Sequence, residues 1–209
     1  ATLCASFHND EDIHARVASQ VYGVPLEAVT AEQRRSAKAV NFGVIYGQSP
    51  FGLAKALDID KSEAAAFIDA YFERYSGVDE FFTRVLEDCL QSGYVSTILG
   101  RRRAISGIRR VASRQRNLPE RTAINTVIQG SAADLIKLAM INVYRRLREE
   151  RRRARMLLQI HDELVFEVPA DEVDDLGKLV VEEMSAVMPL AVPLKVDLKS
   201  GDNWAECQG

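Results

Sequence analysis

Apolar positions recur with a helical period along the first ninety residues, and afterwards strand-like and helical periods alternate. Asp10 or Asp12 can cap a helix that ends at Tyr22 and is closed by Gly23 and Pro25. Thr30, with Gln33 three positions on, predicts a capping box opening a helix that reaches Tyr46. Ser49-Pro50 opens a short helix, with the cap residue followed by proline in the first turn. Residues 60–75 and 78–92 carry two further helical patterns, with Gly77 and Gly93 as stops. The period then changes. Residues 94–99 read as a strand, Gly100-Arg101 as a turn and 102–105 as the returning strand.

Residues 106–118 are arginine-rich with little apolar pattern, which predicts a mobile connection. Pro119 starts a long helical pattern through Arg152, loosened at Gly130. Two short apolar runs, 156–160 and 164–168, flank His161-Asp162-Glu163 and read as a hairpin. Residues 171–188 form an amphipathic helical pattern, and 192–198 alternate as a last strand would. The class is α+β, with two parts dividing near residue 110, at 1–110 and 111–209.

Composition narrows the class. The 209 residues are 47% hydrophobic and 27% charged, as in ordinary globular domains. No stretch of about twenty apolar residues predicts a membrane span, and no basic-then-apolar leader opens the chain. Cys4, Cys89 and Cys207 are far apart and lack CxxC spacing, which disfavours a disulfide framework or zinc site and suits a reducing cytoplasm. Charge is unevenly spread. From Asp162 onward twelve acids face Lys178, Lys195 and Lys199, giving −9, while the preceding 161 residues carry +6. A basic body beside an acidic tail suits a polyanion groove next to a cation site, and equally suits solvated helix faces.

The hairpin tip is the first candidate for chemistry. Aspartate is common in turns for local reasons, since it bonds its own backbone. A two-residue turn without glycine is less usual, so Asp162 is also a candidate metal ligand. Mg²⁺ takes one or two protein carboxylates plus substrate phosphate. A two-metal phosphoryl-transfer site needs at least one further acid.

The second candidate is "EQRRSAKAVNFGVIYGQ", residues 32–48. Arg34, Lys38, Phe42 and Tyr46 recur every four positions and share one helix stripe. Two cations followed by two aromatics match the polarity of a nucleoside triphosphate, with its charged tail and flat base. Gly43 and Gly47 are expected to leave room beside the rings. An aromatic core face is the alternative.

These stretches resemble a known family. "RRSAKAVNFGVIYG" is similar to the nucleotide-binding fingers helix of the A-family DNA polymerases, and "QIHDELVFEVP" to their palm hairpin with a catalytic acid. "ERTAINTVIQGSAADLIK" resembles the intervening palm helix and "GDNWAE" the family's terminus, in order and from about Phe7 onward. The resemblance implies a helical fingers subdomain, then part of a palm with an antiparallel sheet and long helices. It implies that Arg34, Lys38 and His14 contact the incoming deoxynucleoside triphosphate, with Lys38 also a general acid. It implies that Tyr46 closes the insertion site, and that Phe42 disfavours dideoxynucleotides. Asp162 would bind catalytic Mg²⁺, with Glu163 in support, while Gln159 and His161 would touch the primer end. Arg121, Asn125 and Gln129, again four apart, would meet the minor groove of primer–template DNA, whose acceptors report pairing geometry without sequence.

The resemblance also marks a departure. The family's first palm strand, with a second catalytic aspartate and the ribose-gating glutamate, should precede Ala1. The 209 residues are therefore expected not to polymerise alone, and to expose a palm sheet edge that favours self-association. A non-catalytic DNA- or nucleotide-binding module and a single-subunit RNA polymerase relative are the other readings.

Overall fold

The computed structural model describes residues 2–110 and 116–208. Helices α1 (Thr2–His8), α2 (Ile13–Tyr22), α3 (Ala31–Ile45), α4 (Pro50–Leu57), α5 (Lys61–Arg74) and α6 (Ser76–Ser92) lead into strands β1 (Tyr94–Ser96) and β2 (Arg102–Ala104). There follow α7 (Leu118–Glu149), β3 (Arg155–Ile160), β4 (Glu163–Glu167) and α8 (Val173–Ser185). The chain is α+β, and its strands form two antiparallel pairs, β1–β2 and β3–β4, among the described residues. No helix among those residues is long and apolar enough to cross a membrane.

Local chemistry sets the helix ends. Asp12 caps α2, its side chain accepting from the His14 and Ala15 amides, while Asp10 sits at a positive φ of 53°. At Thr30 both bonds of the capping box form: the Gln33 amide donates to Thr30 Oγ1 at 3.1 Å, and the Thr30 amide to Gln33 Oε1 at 3.0 Å. Ser49 caps α4 with Pro50 in its first turn. Gly93 closes α6 in the left-handed region, at φ 77°. Gly77 does not stop a helix. It lies inside α6, because the break falls at Tyr75, a buried ring whose hydroxyl donates to Gln20 at 2.5 Å.

The chain divides into two compact units, Ala1–Ser131 and Ala132–Gly209. The start of α7 is committed to the first unit: Ile124 joins its main core and Ala123 a smaller one. The main core gathers Val17, Val40, Leu53, Tyr71 and Phe82 from five helices. Full burial of a ring such as Phe82 contributes about 1.5–3 kcal/mol. Burial also pushes the Tyr71 phenol up to about 12.

The expected mobile connection is anchored on both sides of residues 111–115, which lie outside the described residues. Buried Glu120 accepts from Arg109 Nε at 2.8 Å and from the Asn117 amide at 2.8 Å. Arg116 lies over the Phe82 ring, 5.0 Å from its centroid, and pairs with Asp79 at 3.7 Å. Nor does Gly130 loosen α7. The helix is continuous, and a Cβ at Gly130 would lie 2.7 Å from Thr97 Cγ2, so the missing side chain admits the β1 end.

In the second unit, α7 and α8 bury Val143, Leu147, Leu176, Leu179 and Val180, and Met156 and Phe166 of the hairpin pack on them. The helical pattern at 171–188 begins with a single 3-10 turn, and α8 spans Val173–Ser185. Asp171 and Glu172 at that start both hold Arg153, whose Nε donates to Glu172 Oε1 at 2.8 Å. Residues 192–198 form no strand. Their alternation survives as half-buried Val192, Leu194 and Val196 between exposed neighbours, with no ladder partner among the described residues. Leu198 instead rests where a Cβ at Gly177 would lie 2.6 Å from its Cδ2.

Candidate active site

In α3 the Thr30 capping box fixes the start, and Ala37, Val40 and Val44 face the core. The stripe of Arg34, Lys38, Phe42 and Tyr46 is thereby turned outward, and all four side chains are exposed. Phe42 and Tyr46, at 42% and 39% exposure, are therefore not the core face of an amphipathic helix. Their rings stack at 6.0 Å with an interplanar angle of 12°. His14 of α2 extends the surface, its ring 5.8 Å from that of Phe42.

Asp12 organises the cationic end. One carboxylate oxygen accepts from the His14 and Ala15 amides at 2.9 and 3.0 Å, and the other from Arg34 Nε at 2.6 Å. Burial pulls its pKa upward, but the Ala15 amide and the Arg34 guanidinium outweigh this and hold the carboxyl below its usual range. The His14 imidazole is shifted down, first by burial and then by Arg34 and Lys38, with Asp12 opposing. Buried Asn41 of α3 reaches its ring, Nδ2 to Nδ1, at 3.0 Å.

The aromatic end meets α7. Gln129 donates from Nε2 to the Tyr46 hydroxyl at 2.9 Å. Half-buried Arg121 lies against Gly47, where a Cβ would come within 2.7 Å of its Cγ. Gly47 also holds a φ of 66°, so glycine is favoured there twice over. Gly43 is buried, and a Cβ there would meet Gln48 Oε1 at 2.7 Å. Neither glycine leaves room beside the rings, contrary to the expectation: one admits Arg121 and the other Gln48. Arg121 Nε and Asn125 Oδ1 are buried without a hydrogen-bond partner among the described residues.

The other candidates sit on the β3–β4 hairpin, in the second unit. Ile160 pairs with Glu163, so His161 and Asp162 are the two loop residues. His161 adopts a φ of 54°, a conformation that costs a non-glycine residue about 1–3 kcal/mol. Gln159 braces the turn by donating from Nε2 to the His161 carbonyl at 3.0 Å. His161, Asp162 and Glu163 are all exposed. The register shifts between Met156 and Leu158, leaving Leu157 as a bulge, and both leucines are 51% exposed. The apolar runs beside the tip are thus only partly buried.

His14, Arg34, Lys38, Phe42, Tyr46, Arg121, Asn125 and Gln129 belong to the first unit, and Gln159, His161, Asp162 and Glu163 to the second. Asn41 and the tie from Asp12 to Arg34 were missed in the sequence. A lone amide inside "AKAVNFGV" was the available signal for Asn41. No group of three or more His, Cys, Asp or Glu side chains that could hold a metal ion occurs among the described residues. Asp162 and Glu163 offer a donor set of two carboxylates, which suits an ion that keeps its waters and shares a substrate phosphate, not a closed protein cage.

An outward cation–aromatic helix in one unit and an acid-tipped antiparallel hairpin in the other define an α+β chain of recognisable lineage. The chain belongs to DNA polymerase family A, which it matches over residues 1–206. It is 48% identical over 206 residues to DNA polymerase I of Geobacillus stearothermophilus, covering 99% of this chain and 24% of that protein. It is 49% identical over 205 residues to DNA polymerase I of Chloroflexus aurantiacus, covering 98% of this chain and 22% of that protein. The chain thus spans about a quarter of the length of these relatives. A solved structure, the POL domain of Pol1 from M. smegmatis in complex with DNA primer-template and dNTP, matches with a TM-score of 0.92 and 42% identity. That match covers 100% of this chain and 37% of the other.

Proposed function

We propose that the chain forms the fingers (1–110) and the later part of the palm (111–209) of a template-directed DNA polymerase acting in replication or repair in the cytoplasm. Its substrates are primer–template DNA and deoxynucleoside triphosphates. The observation that carries this reading is the outward stripe of α3, with Arg34, Lys38, Phe42 and Tyr46 all exposed and bordered by His14.

The roles follow from charge and shape. Arg34, held by Asp12, and Lys38 bind the phosphates near the positive end of α3. Phe42 and Tyr46 offer stacked faces to sugar and base. Lys38 positions an ammonium to protonate the departing pyrophosphate. Gln129 holds Tyr46, while half-buried Arg121 and Asn125 on the same helix offer N–H donors to the acceptors of the duplex minor groove. Gln159 and His161 meet the primer end. Asp162, supported by Glu163, holds Mg²⁺, which when bound neutralises charge on the transferring phosphate. The protein's share of catalysis is positioning and charge neutralisation.

Two measurements test this. The first is deoxynucleoside triphosphate binding by the chain: Lys38→Ala should weaken it at least about tenfold, the loss of one charge-assisted contact. Equal binding by the variant would remove the role of α3. The second grafts this chain in place of the matching segment of the Geobacillus relative and follows primer extension. There Asp162→Ala should cost at least about a hundredfold in rate, as when a group aimed at developing charge is lost. Near-normal turnover would end the assignment.

A further inference from the structure

We propose that Asn41 is a positioning residue that fixes the His14 imidazole as the tautomer with its proton on Nε2. The geometry is specific. Asn41, on the buried face of α3 and only 5% exposed, sets its amide nitrogen 3.0 Å from His14 Nδ1 on α2. An amide nitrogen can only donate, so Nδ1 must accept and the ring proton resides on Nε2. The opposite amide orientation would set Oδ1 against Nδ1 and bury the NH₂ with both donors unpaired. The observed orientation leaves Asn41 Oδ1 and one of the two Nδ2 hydrogens without a partner, one orphaned donor against two. Orphaned buried N–H groups are rarer than under-satisfied carbonyl oxygens, which favours the orientation seen.

The surroundings keep the ring neutral. Arg34 and Lys38 on α3 oppose a third positive charge, as does burial, and Asp12 is the acid that works against them. Asp12 spends one oxygen on the His14 and Ala15 backbone amides and the other on Arg34. The Phe42 ring flanks the imidazole and brings no charge. His14 therefore offers one uncharged donor, Nε2–H, while the cationic work falls to Arg34 and Lys38. The other tautomer would present a lone pair to an anion. The benefit to a nucleotide rests on the function proposed above, whereas the tautomer itself does not.

Imidazole ¹H–¹⁵N correlation spectra of the ¹⁵N-labelled chain read the tautomer directly. The chain has three histidines, and His14→Gln identifies the signal. The wild-type ring should carry its proton on Nε2 at pH 8. Asn41→Asp substitutes an acceptor-only carboxylate for the donor. It should move the proton to Nδ1, and raise the His14 pKa by at least about one unit through the new negative charge. Binding of a deoxynucleoside triphosphate at pH 8 should weaken about tenfold in Asn41→Asp, and by clearly less in a His14→Ala background, where only the repulsion of the new carboxylate remains. A wild-type Nδ1–H ring would overturn the proposal without recourse to any variant. So would a folded Asn41→Asp chain with an unchanged tautomer and pKa. If the tautomer behaves as expected but millimolar deoxynucleotide leaves the His14 signals unmoved, the nucleotide reading fails and the assignment of Asn41 stands.

Discussion

Gln129 donates its amide proton to the Tyr46 hydroxyl across 2.9 Å, tying α7 to the aromatic end of α3. Tyr46 therefore has two partners, since its ring also stacks on Phe42. Tyr46→Phe keeps the stack and removes the acceptor, and Gln129→Leu removes the donor. Each should weaken deoxynucleotide binding about fivefold, equivalent to about 1 kcal/mol. The double variant should be no weaker than the worse single one, because both delete the same bond. Additive losses in this cycle would show that the two side chains act separately.

Asp12 has two roles that substitution can separate. Asp12→Ala removes the cap of α2 and should cost about 1 kcal/mol of stability in denaturant unfolding. Asn caps as well as Asp, so Asp12→Asn should unfold close to wild type while losing the charge that holds Arg34. Triphosphate binding should nevertheless fall in Asp12→Asn, and that fall should disappear in an Arg34→Ala background, where no guanidinium is left to be held.

Glu120 links stability to pH. Its carboxyl is held below the usual glutamate range, first by Arg109, against burial, with help from the Asn117 and Arg109 amides. A depressed folded-state value means that the carboxylate stabilises the fold above the ordinary glutamate range. That contribution fades as pH falls through the lower folded-state value. Glu120→Ala should cost about 2 kcal/mol at pH 7, and the gap to wild type should shrink on acidification and stay constant from pH 6 to 8. A gap that widens in acid would contradict the sign.

Gly130 yields a prediction against helix propensity. Alanine in a helix interior is favoured over glycine by about 1 kcal/mol. Yet Gly130→Ala would set its Cβ 2.7 Å from Cγ2 of buried Thr97, a side chain with little rotamer freedom. Overpacking of about 1–3 kcal/mol should win, giving a lower melting temperature. Thr97→Ser deletes the clashing methyl and keeps the hydroxyl that accepts from the Arg101 amide at 3.1 Å. The paired change should recover most of the loss.

These cases separate what was legible in the sequence from what was not. Thr30 with Gln33, and Ser49 with Pro50, act within one turn of chain, so their helices could be read directly. The same holds for the stripe of α3, set by spacing alone. Alternation at 192–198 was visible too, but a strand exists only through its partner, and no local pattern supplies one. The anchoring of the connection depends on Glu120 selecting Arg109 from a run of similar arginines, a choice made by packing. Gly43 and Gly47 were noticed, but their neighbours Gln48 and Arg121 could come only from tertiary structure. α1 escaped notice because seven residues are too few to display a period.

The extra leucine in β3 acts as a phase shift. Because Met156 faces Phe166 while Leu158 faces Val165, everything from 158 to the tip is turned half a period from where plain alternation would leave it. Gln159 consequently shares a side of the ribbon with Met156, and Ile160 takes the other. Deleting Leu157 would keep that assignment and every pair of the ladder and remove only the local bend, so the extra residue governs how the acidic tip is aimed and not which side chains flank it.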